Sequence, residues 1–260
     1  MNGEGEQVKL NVVQMDGVVN RITSLLESYG SEVKGVKIDW SSDVLKVLKR
    51  EEKVASSGSS TLEYRVICFD RQGIFATDRV RIACYFAPFI FGEEKVLLSV
   101  SGVKSLVQVA EDEQLEAAWI VGDKLCVKFG EELYVGVLGY DMDYPDLGKV
   151  LLEHRQKVEV IPVDVLIADE ISKVVKILDP SDVVYLAVDG GWLELKVSSL
   201  KGFEWKKRLQ QVNVEGNYEV GVLARDLDGV IEGIIEIGFS DNVIYCRSVE
   251  GVEYVIATIS

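Results

Sequence analysis

The chain has 260 residues, which is long enough for one large domain or for two domains of ordinary size. Hydrophobic residues account for 48% of it and charged residues for 27%, a balance typical of proteins that bury a core in water. The formal net charge of -15 argues against a surface that binds nucleic acid everywhere, although it is compatible with a local basic face.

Membrane insertion, a cofactor and catalysis are all disfavoured by the sequence. The opening residues lack the apolar run of a signal peptide or a membrane span, so we expect a cytoplasmic protein without a membrane partner. There is no P-loop, and the lone histidine, His154, has no orienting motif beside it, so we expect no enzyme. The acidic group Asp141, Asp143 and Asp146 misses the EF-hand spacing, and we expect neither a metal nor another cofactor.

Cysteine usage indicates a reducing compartment. The four cysteines are far apart and form no C-x-x-C pair, which predicts buried free thiols rather than disulfides or a zinc site. They are Cys68, Cys84, Cys126 and Cys246. Valine, glutamate and lysine are abundant while asparagine and glutamine are sparse, a composition that leans toward a thermophile.

The first predicted elements are a strand over 8–13 and a helix over 16–30, whose apolar residues share one face. Further strands resume only near residue 62. Residues 31–60 are therefore interpreted as an insertion that ends in a flexible Ser/Gly run. The stretch "KVLKREEK" within the insertion is interpreted as a plain charged helix rather than as a DNA contact.

A second set of elements begins at residue 96. The stretch "VLLSVS" predicts a strand, and "GVKSLVQVAEDE" predicts a helix in which Val103, Leu106 and Val107 share a face. Three strands follow, separated by Gly-Asp and Gly-Glu-Glu, which are credible hairpin turns.

The same order recurs twice more. A strand at 158 leads into a helix over 164–178, and a strand at 218 leads into a helix over 224–233. The unit starts at 8, 96, 158 and 218 are 88, 62 and 60 residues apart, and the first interval approaches the others once the insertion is subtracted. Repetition of a β-α-β-β-β unit predicts an α+β fold. The alternative to a true repeat is that any α+β chain shows some strand–helix–strand likeness between its parts.

Two units per domain predict a two-domain chain. The N-terminal domain covers 1–142, including the insertion at about 31–60, and the C-terminal domain covers 158–260. Between them, residues 143–157 form a polar connector that carries a proline.

Three stretches carry a resemblance to the DNA sliding clamps, the ring-shaped processivity factors of replication. "GIFATDRVRIACYFAP" (73–88) resembles a clamp hairpin of the form Gly-Ile-x-x-x-x-Asp-x-x-x-Val, with a tighter spacing. "ELYVGVLGYDMDYPDL" (132–147) resembles the strand that leads out of the first domain in bacterial clamps. The ending "NVIYCRSVEGVEYVIATIS" resembles the last clamp hairpin. The proliferating cell nuclear antigen and its archaeal and phage relatives likewise have two domains of two units per chain.

The resemblance implies two processivity-fold domains with helices on the inner face of a ring and sheets outside. Four helices cannot encircle a duplex, so a homotrimer with twelve is implied. The ring would hold duplex DNA through nonspecific phosphate contacts. The implied DNA-facing residues are Arg21, Lys104, Lys173, Lys176 and Arg225.

The resemblance also implies partners. Clamps tether polymerases and other replication or repair enzymes through a short apolar peptide bound beneath the connector, and a clamp loader is a further implied partner. The implied peptide pocket comprises Ala76, Leu147, Val150, Val255, Ile256 and Ala257. The implied subunit contacts are two edge strands with Tyr134, Val135, Phe203, Trp205, Lys207 and Leu209, and with Glu131 and Glu132 opposite Lys206, Lys207 and Arg208.

Two alternatives remain open from the residues alone. The chain could be one subunit of a heteromeric ring in which chains of different charge share the inner wall. It could also be a β-rich assembly protein that forms rings or a lattice without enclosing DNA.

Overall fold

A computed structural model describes the chain over the following ranges: 36–38, 42–55, 61–87, 95–112, 115–121, 124–129, 133–138, 142–214, 216–240 and 242–259. Within residues 36–43 and 111–141 the description concerns the backbone alone.

The first half of the chain contains two units of the order strand, helix, strand, strand, strand. The first unit comprises β1 (Val36–Ile38), α1 (Ser42–Ala55), β2 (Val66–Asp70), β3 (Gly73–Thr77) and β4 (Arg81–Phe86), with a 3₁₀ turn at Leu62–Arg65. The second unit comprises β5 (Val96–Ser99), α2 (Val100–Asp112), β6 (Leu115–Val121), β7 (Lys124–Phe129) and β8 (Leu133–Leu138).

The second half repeats this order twice after a connecting helix, α3 (Leu147–Arg155). Its first unit comprises β9 (Glu159–Pro162), α4 (Val165–Ile177), β10 (Val183–Asp189), β11 (Trp192–Ser198) and β12 (Glu204–Gln211). Its second unit comprises β13 (Tyr218–Leu223), α5 (Ala224–Leu227), β14 (Ile234–Phe239), β15 (Val243–Ser248) and β16 (Glu253–Ala257). The predicted α+β class and the repeated order are thus confirmed.

The repeat is regular without an insertion. The four units begin at residues 36, 96, 159 and 218, so successive starts are 60, 63 and 59 residues apart. The structure differs here from the sequence prediction, because residues 36–55 supply the first strand and helix of the first unit rather than an insertion between its parts. The strand and helix predicted over 8–30 lie outside the described residues.

Within each half, the first strand of each unit pairs with the strands of the other unit. Strand β1 pairs with β6 in a sheet of order β1-β6-β7-β8, while β5 pairs with β2. In the second half, β13 joins the sheet β12-β11-β10-β13, while β9 pairs with β14. The two units of each half are therefore interlocked by an exchange of strands.

The two halves meet in one continuous sheet of eight strands. Its order is β5-β2-β3-β4-β16-β15-β14-β9, so the junction is the pairing of β4 with β16. The pairing is antiparallel and places Arg81 opposite Ile256 and Cys84 opposite Glu253. Backbone hydrogen bonds thus tie one half to the other.

Helix α1 belongs to the main core. It packs against α2 and against the strands β2, β3 and β4. Val44, Val47, Leu48 and Val54 are at most 2% exposed, and the first three follow the i, i+3, i+4 spacing of one helical face. Burial of a side chain of this kind stabilises a fold by about 1.5–3 kcal/mol. The stretch predicted to be a plain charged helix is therefore a core helix with a charged outer face.

The connecting helix α3 packs on the opposite face of the eight-stranded sheet, across β3, β4, β15 and β16. Leu147 and Leu151 are 5% and 0% exposed and join Tyr144 in a second apolar cluster above the sheet. The Oδ1 atom of Asp146 accepts a hydrogen bond from the backbone nitrogen of Lys149 at 3.0 Å and caps the helix. The segment expected to be a polar connector thus contains an amphipathic helix.

The fourth predicted helix is much shorter than expected. The sequence predicts it over 224–233, whereas α5 ends at Leu227. Asp228 leaves the helical region with φ -60° and ψ 132°, and Gly229 follows with φ +74°. A left-handed residue cannot continue a right-handed helix, and glycine adopts it without a Cβ clash.

Three of the four cysteines are buried free thiols, as predicted. They are Cys68, Cys84 and Cys246, and burial raises the pKa of the Cys68 thiol to about 12. The side chain of Cys126 is not among those described. Within the described ranges, no helix has the length and apolar character that crossing a membrane requires.

Candidate nucleic-acid interface, docking surface and subunit edges

The helices that cover the main core form one continuous wall. Helix α1 packs against α2 in the first half, and α4 packs against α5 in the second. Across the junction, α1 meets the loop that follows α5: the Nη1 atom of Arg50 donates to the carbonyl oxygen of Glu232 at 2.8 Å. In the same loop, a Cβ atom at Gly229 would lie 2.8 Å from the Cδ atom of Lys53. The order along this helical wall is therefore α2, α1, α5, α4.

Helix α1 presents a row of lysines on the helical wall. Lys46, Lys49 and Lys53 follow one another at i, i+3 and i+7, so they project from the same side of the helix. Lys46 and Lys53 are exposed and Lys49 is half-buried. Such a row can contact phosphates without reading bases. From the sequence alone, this stretch is weighed as a DNA contact and interpreted as a plain charged helix, because it is assigned to an insertion outside the repeated units.

Four of the five residues predicted to face DNA lie exposed on helices of the wall. Lys104 is on α2, Lys173 and Lys176 are on α4, and Arg225 is on α5. Arg21 lies outside the described residues. The structure thus brings the four described residues onto one wall, together with the lysine row of α1.

Acidic side chains neutralise part of this wall. The Nζ atom of Lys104 lies 3.5 Å from Oε1 of Glu52, and that of Lys176 lies 3.4 Å from Oε2 of Glu232. The Nε atom of Arg225 lies 3.7 Å from the Oδ1 atom of Asp226. Exposed pairs contribute only about 0–1 kcal/mol to stability, so a phosphate can compete for these cations.

The six residues predicted for a peptide pocket do not lie together. Ala76 and Ile256 are fully buried and belong to the main core beneath the helical wall. Leu147 and Val255 belong instead to the second apolar cluster, under α3. On the outside, Val150 is half-buried in α3 and Ala257 is exposed at the end of β16.

A better-defined apolar surface surrounds α3. Ile82 lies directly opposite Val255 in the β4–β16 pairing and is a half-buried member of the second cluster. Gly148 lets α3 approach the sheet, since a Cβ atom there would lie 3.3 Å from Phe75 and 3.4 Å from Phe86. We call Ile82, Val150, Val255 and α3 itself the α3 surface. Ile82 was not selected from the sequence, although strand alternation places it on the opposite face of β4 from its neighbour Ala83.

Both strands predicted for subunit contacts lie at sheet edges as far as the described residues extend. Strand β8, with Tyr134 and Val135, ends the sheet of the first half, and β12 ends that of the second. On β12 and just before it, Phe203 is 56% exposed, while Trp205 and Leu209 are half-buried against the main core. The structure thus leaves the hydrogen-bonding groups of one side of β12 without a neighbouring strand in the described chain.

The cations of β12 are already paired within the chain. Glu194 is fully buried, and its carboxylate lies 2.7 Å from Nζ of Lys206 and 3.2 Å from Nε of Arg208. Burial opposes ionisation of Glu194, but these hydrogen bonds and charges outweigh it and hold its pKa below the usual range. Lys207 pairs with Glu170 on α4. The cations that were expected to contact Glu131 and Glu132 of another chain therefore already form ion pairs within their own chain.

Helix α4 exposes large apolar side chains beside β12. Leu166 and Ile177 are 74% and 82% exposed. Leu166 lies one turn before Glu170 and Ile177 lies two turns after it, so both project from the side of α4 that Lys207 of β12 contacts. With Phe203, which is exposed just before β12, we call these residues the apolar edge. This edge was not identified from the sequence.

The comparisons with known proteins agree with this architecture. No protein-family model and no curated protein matches the sequence. A beta sliding clamp of Caulobacter crescentus matches with a TM-score of 0.73 and 19% identity, over 89% of this chain and 67% of that one. The DNA polymerase III subunit beta of Pseudomonas aeruginosa matches with a TM-score of 0.70 and 16% identity, over 88% and 67%. A putative DNA polymerase III beta subunit from Eubacterium rectale matches with 0.70 and 14%, over 86% and 65%.

The chain therefore has the fold of the DNA sliding clamps, as the resemblance in its sequence predicted. It spans about two thirds of the length of these solved structures. In the described part of the chain, no three histidine, cysteine, aspartate or glutamate side chains are grouped so that they could hold a metal ion.

Proposed function

We propose that the chain is a non-enzymatic subunit of a DNA sliding clamp, which encircles duplex DNA and tethers a polymerase and other replication or repair enzymes. The observation that carries the proposal is the helical wall: the four repeated units place their helices on one side of the eight-stranded sheet, which continues across both halves. The clamp fold of the solved structures supports it. Residues 1–142 and 158–260 would then be its two domains, joined by 143–157.

The ring would close through the apolar edge and strand β12. A free strand edge and exposed apolar side chains together favour association with another chain through an edge such as β8. The four helices of one chain are too few to surround a duplex, so the proposed ring contains three chains and twelve helices. Because the cations of β12 are paired internally, the contact would depend on backbone hydrogen bonds and apolar burial rather than on ion pairs between chains.

The α3 surface is the proposed site for the apolar peptide of a tethered enzyme. It combines a half-buried Ile82 and Val150 with a buried floor that contains Val255. A clamp loader would be a further partner. Ile256, in contrast, is a core residue, so a charge placed there would unfold the protein rather than test peptide binding.

Retention on circular DNA tests the proposed function. The chain is diluted with nicked circular plasmid and then concentrated, so that rings can close around DNA without a loader. Gel filtration at raised salt follows, with light scattering for the mass of the free protein. We expect a free assembly of three chains and a fraction that stays on circles but leaves when a restriction enzyme linearises them. An assembly of that mass that leaves circular and linear DNA equally would contradict the proposal.

The second candidate, an assembly protein that does not enclose DNA, is favoured by one observation. Part of the helical wall is acidic, with Glu232 and Asp228 exposed beside Arg225. A ring without topological retention would support this candidate. A single-chain mass would instead point to sister subunits that complete a heteromeric ring.

A further inference from the structure

Arg81 is a buried arginine at the junction of the two halves. It is 4% exposed, and it lies on β4 opposite Ile256 of β16. Its Nη2 atom donates to the carbonyl oxygen of Lys53, in the last turn of α1, at 3.2 Å. Its Nη1 atom lies 3.3 Å from the carbonyl oxygen of Asp228 and 3.5 Å from that of Arg225, at the end of α5. One guanidinium group thus binds the carboxyl ends of helices from both halves.

Asp78 balances the buried charge. Its Oδ2 atom accepts a hydrogen bond from Nε of Arg81 at 2.8 Å and lies 2.8 Å from Nη2. Its Oδ1 atom accepts from the backbone nitrogens of Val80 and Arg81 at 3.0 and 2.7 Å. The turn therefore holds the carboxylate of Asp78 in place. The partial negative charge at the carboxyl ends of the helices also favours the guanidinium of Arg81 at this position.

The turn that carries this pair is held in an unfavourable backbone conformation. Arg79 has φ +83°, and within the described residues it is the only non-glycine residue with a positive φ. The backbone nitrogen of Arg79 donates a hydrogen bond to the Oγ1 atom of Thr77 at 3.2 Å. A left-handed backbone conformation is unfavourable for a residue with a Cβ atom, and it persists where the surrounding contacts hold it. Here the tight turn positions Arg81 to contact the ends of α1 and α5.

We propose that Arg81 and Asp78, together called the latch, fix the angle between the helices of the first half and those of the second. The latch thereby sets the spacing between the lysine row of α1 and Lys173 on α4. Arginine suits this role because its planar fork reaches several acceptors at once, which a lysine ammonium cannot do. The consequence for DNA rests on the proposed function, whereas the angle itself is a property of this chain alone.

A distance measurement tests the latch. Spin labels are placed at Gln108→Cys on α2 and Lys173→Cys on α4, with Cys126→Ala, while the buried Cys68, Cys84 and Cys246 remain unlabelled. Both label positions are exposed. The distance distribution is then compared for the otherwise native chain and for Arg81→Met, Arg81→Lys and Asp78→Asn.

The matched control is Arg247→Met. Arg247 is a half-exposed arginine on β15, one strand from the junction strand β16, and it pairs with Glu236 of β14 at 3.4 Å inside the second half. We expect one narrow distance for the native chain and for the control. The width should roughly double for Arg81→Met, with a partial return for Arg81→Lys, because the guanidinium contacts between the halves are lost.

The distance measurements test the latch, and retention on plasmid tests the proposed function, so the failure of one can be told from the failure of the other. A folded Arg81→Met chain, judged by circular dichroism, that keeps the native distance overturns the latch. If Arg81→Met does not fold, Arg81→Lys and Asp78→Asn decide the matter, and native distances in both overturn it. Retention of the native chain on circular plasmid tests the function alone. Where that retention is observed, Arg81→Met should lose it faster although no exposed cation has been removed.

Discussion

The Nε atom of Arg50 lies 2.8 Å from the Oε2 atom of Glu250, and this contact joins helix α1 of the first half to the turn between β15 and β16 of the second. The same guanidinium donates to the carbonyl oxygen of Glu232. Both side chains are mostly buried, at 11% and 19% exposed. Burial alone would raise the pKa of Glu250, but the hydrogen bond and charge of Arg50 outweigh it and hold that pKa below its usual value of 4.5.

Arg50→Met should lower the free energy of unfolding by about 2 kcal/mol at neutral pH, because it leaves a buried carboxylate without its cation. Since the pKa of Glu250 is depressed in the fold, the native contact stabilises the fold above pH 4.5 and loses this effect as the pH falls through the folded pKa. Urea unfolding of the native and variant chains between pH 3 and 7 would measure this difference in the free energy of unfolding. A gap between native and variant chains that does not narrow in acid would contradict this account.

Glu51→Met should stabilise the protein. Both carboxylate oxygens of Glu51 are buried without a hydrogen-bond partner, and burial raises its pKa well above 4.5. The contribution of neutral Glu51 to stability is therefore complete below pH 4.5, and it is lost as the pH rises through the raised pKa of the folded state. We expect the variant to gain about 1–3 kcal/mol at pH 8. The adjacent Glu52→Gln is the matched control, since Glu52 faces Lys104, and an equal gain there would refute the assignment.

Replacing the lysine row by alanine should weaken binding to a short duplex at low salt. Each lysine that contacts a phosphate contributes about 0.9 to the slope of log K against log salt, so the triple variant of Lys46, Lys49 and Lys53 should reduce that slope by about 2 to 3. Fluorescence anisotropy with a labelled duplex measures it. The control removes two exposed lysines outside the helical wall: Lys149 on α3, which packs on the other face of the eight-stranded sheet, and Lys157, just after α3. Equal slopes for the two variants would argue against the helical wall as the DNA surface.

Charges on the apolar edge should dissociate the ring. Leu166→Asp with Phe203→Asp places two charges where apolar contact is proposed, and we expect a single-chain mass in light scattering with little loss of stability, since both side chains are exposed in the isolated chain. Raised salt should leave the native ring intact, because the cations of β12 are paired internally. Leu62→Asp is the control, at an exposed leucine outside the apolar edge. An unchanged mass for the double variant would contradict the proposed contact.

Ile82→Glu should abolish binding of a short labelled peptide rich in leucine and phenylalanine, measured by fluorescence anisotropy, while the mass of the assembly stays native. The reason is that Ile82 is a half-buried part of the α3 surface. Val80→Glu is the matched control, because Val80 is 38% exposed in the turn of the same hairpin. If both variants bind the peptide with native affinity, the α3 surface is not its site.

Local patterns were sufficient where helices were long and capped. The predicted helix over 164–178 matches α4, and Asp164 caps it, since its Oδ1 atom accepts a hydrogen bond from the backbone nitrogen of Leu166 at 2.8 Å. Strand β1 was missed for the opposite reason. It has only three residues, and what selects it is pairing with β6, where Val36 lies opposite Ile120. A partner so distant in sequence leaves no local periodicity.

The site was less predictable than the fold. In "YVIA", both Val255 and Ile256 are apolar, and both faces of β16 are buried, one by α3 and one by the main core. Alternation therefore could not tell the α3 surface from the core. Leu166 and Ile177 lie off the buried face of α4, so the helical pattern is compatible with their exposure. That pattern could not show that they lie beside β12, because the position of the strand depends on tertiary packing.

The exchange of first strands within each half has a consequence for how the chain can be divided. A single β-α-β-β-β unit separated from its neighbour would keep its helix but hold a strand with no sheet to join, and its three other strands would lack the one that completes them. Two units together form a closed set. The smallest piece of this protein that could be duplicated, exchanged or expressed alone is thus a pair of units, although the repetition seen in the sequence is that of one.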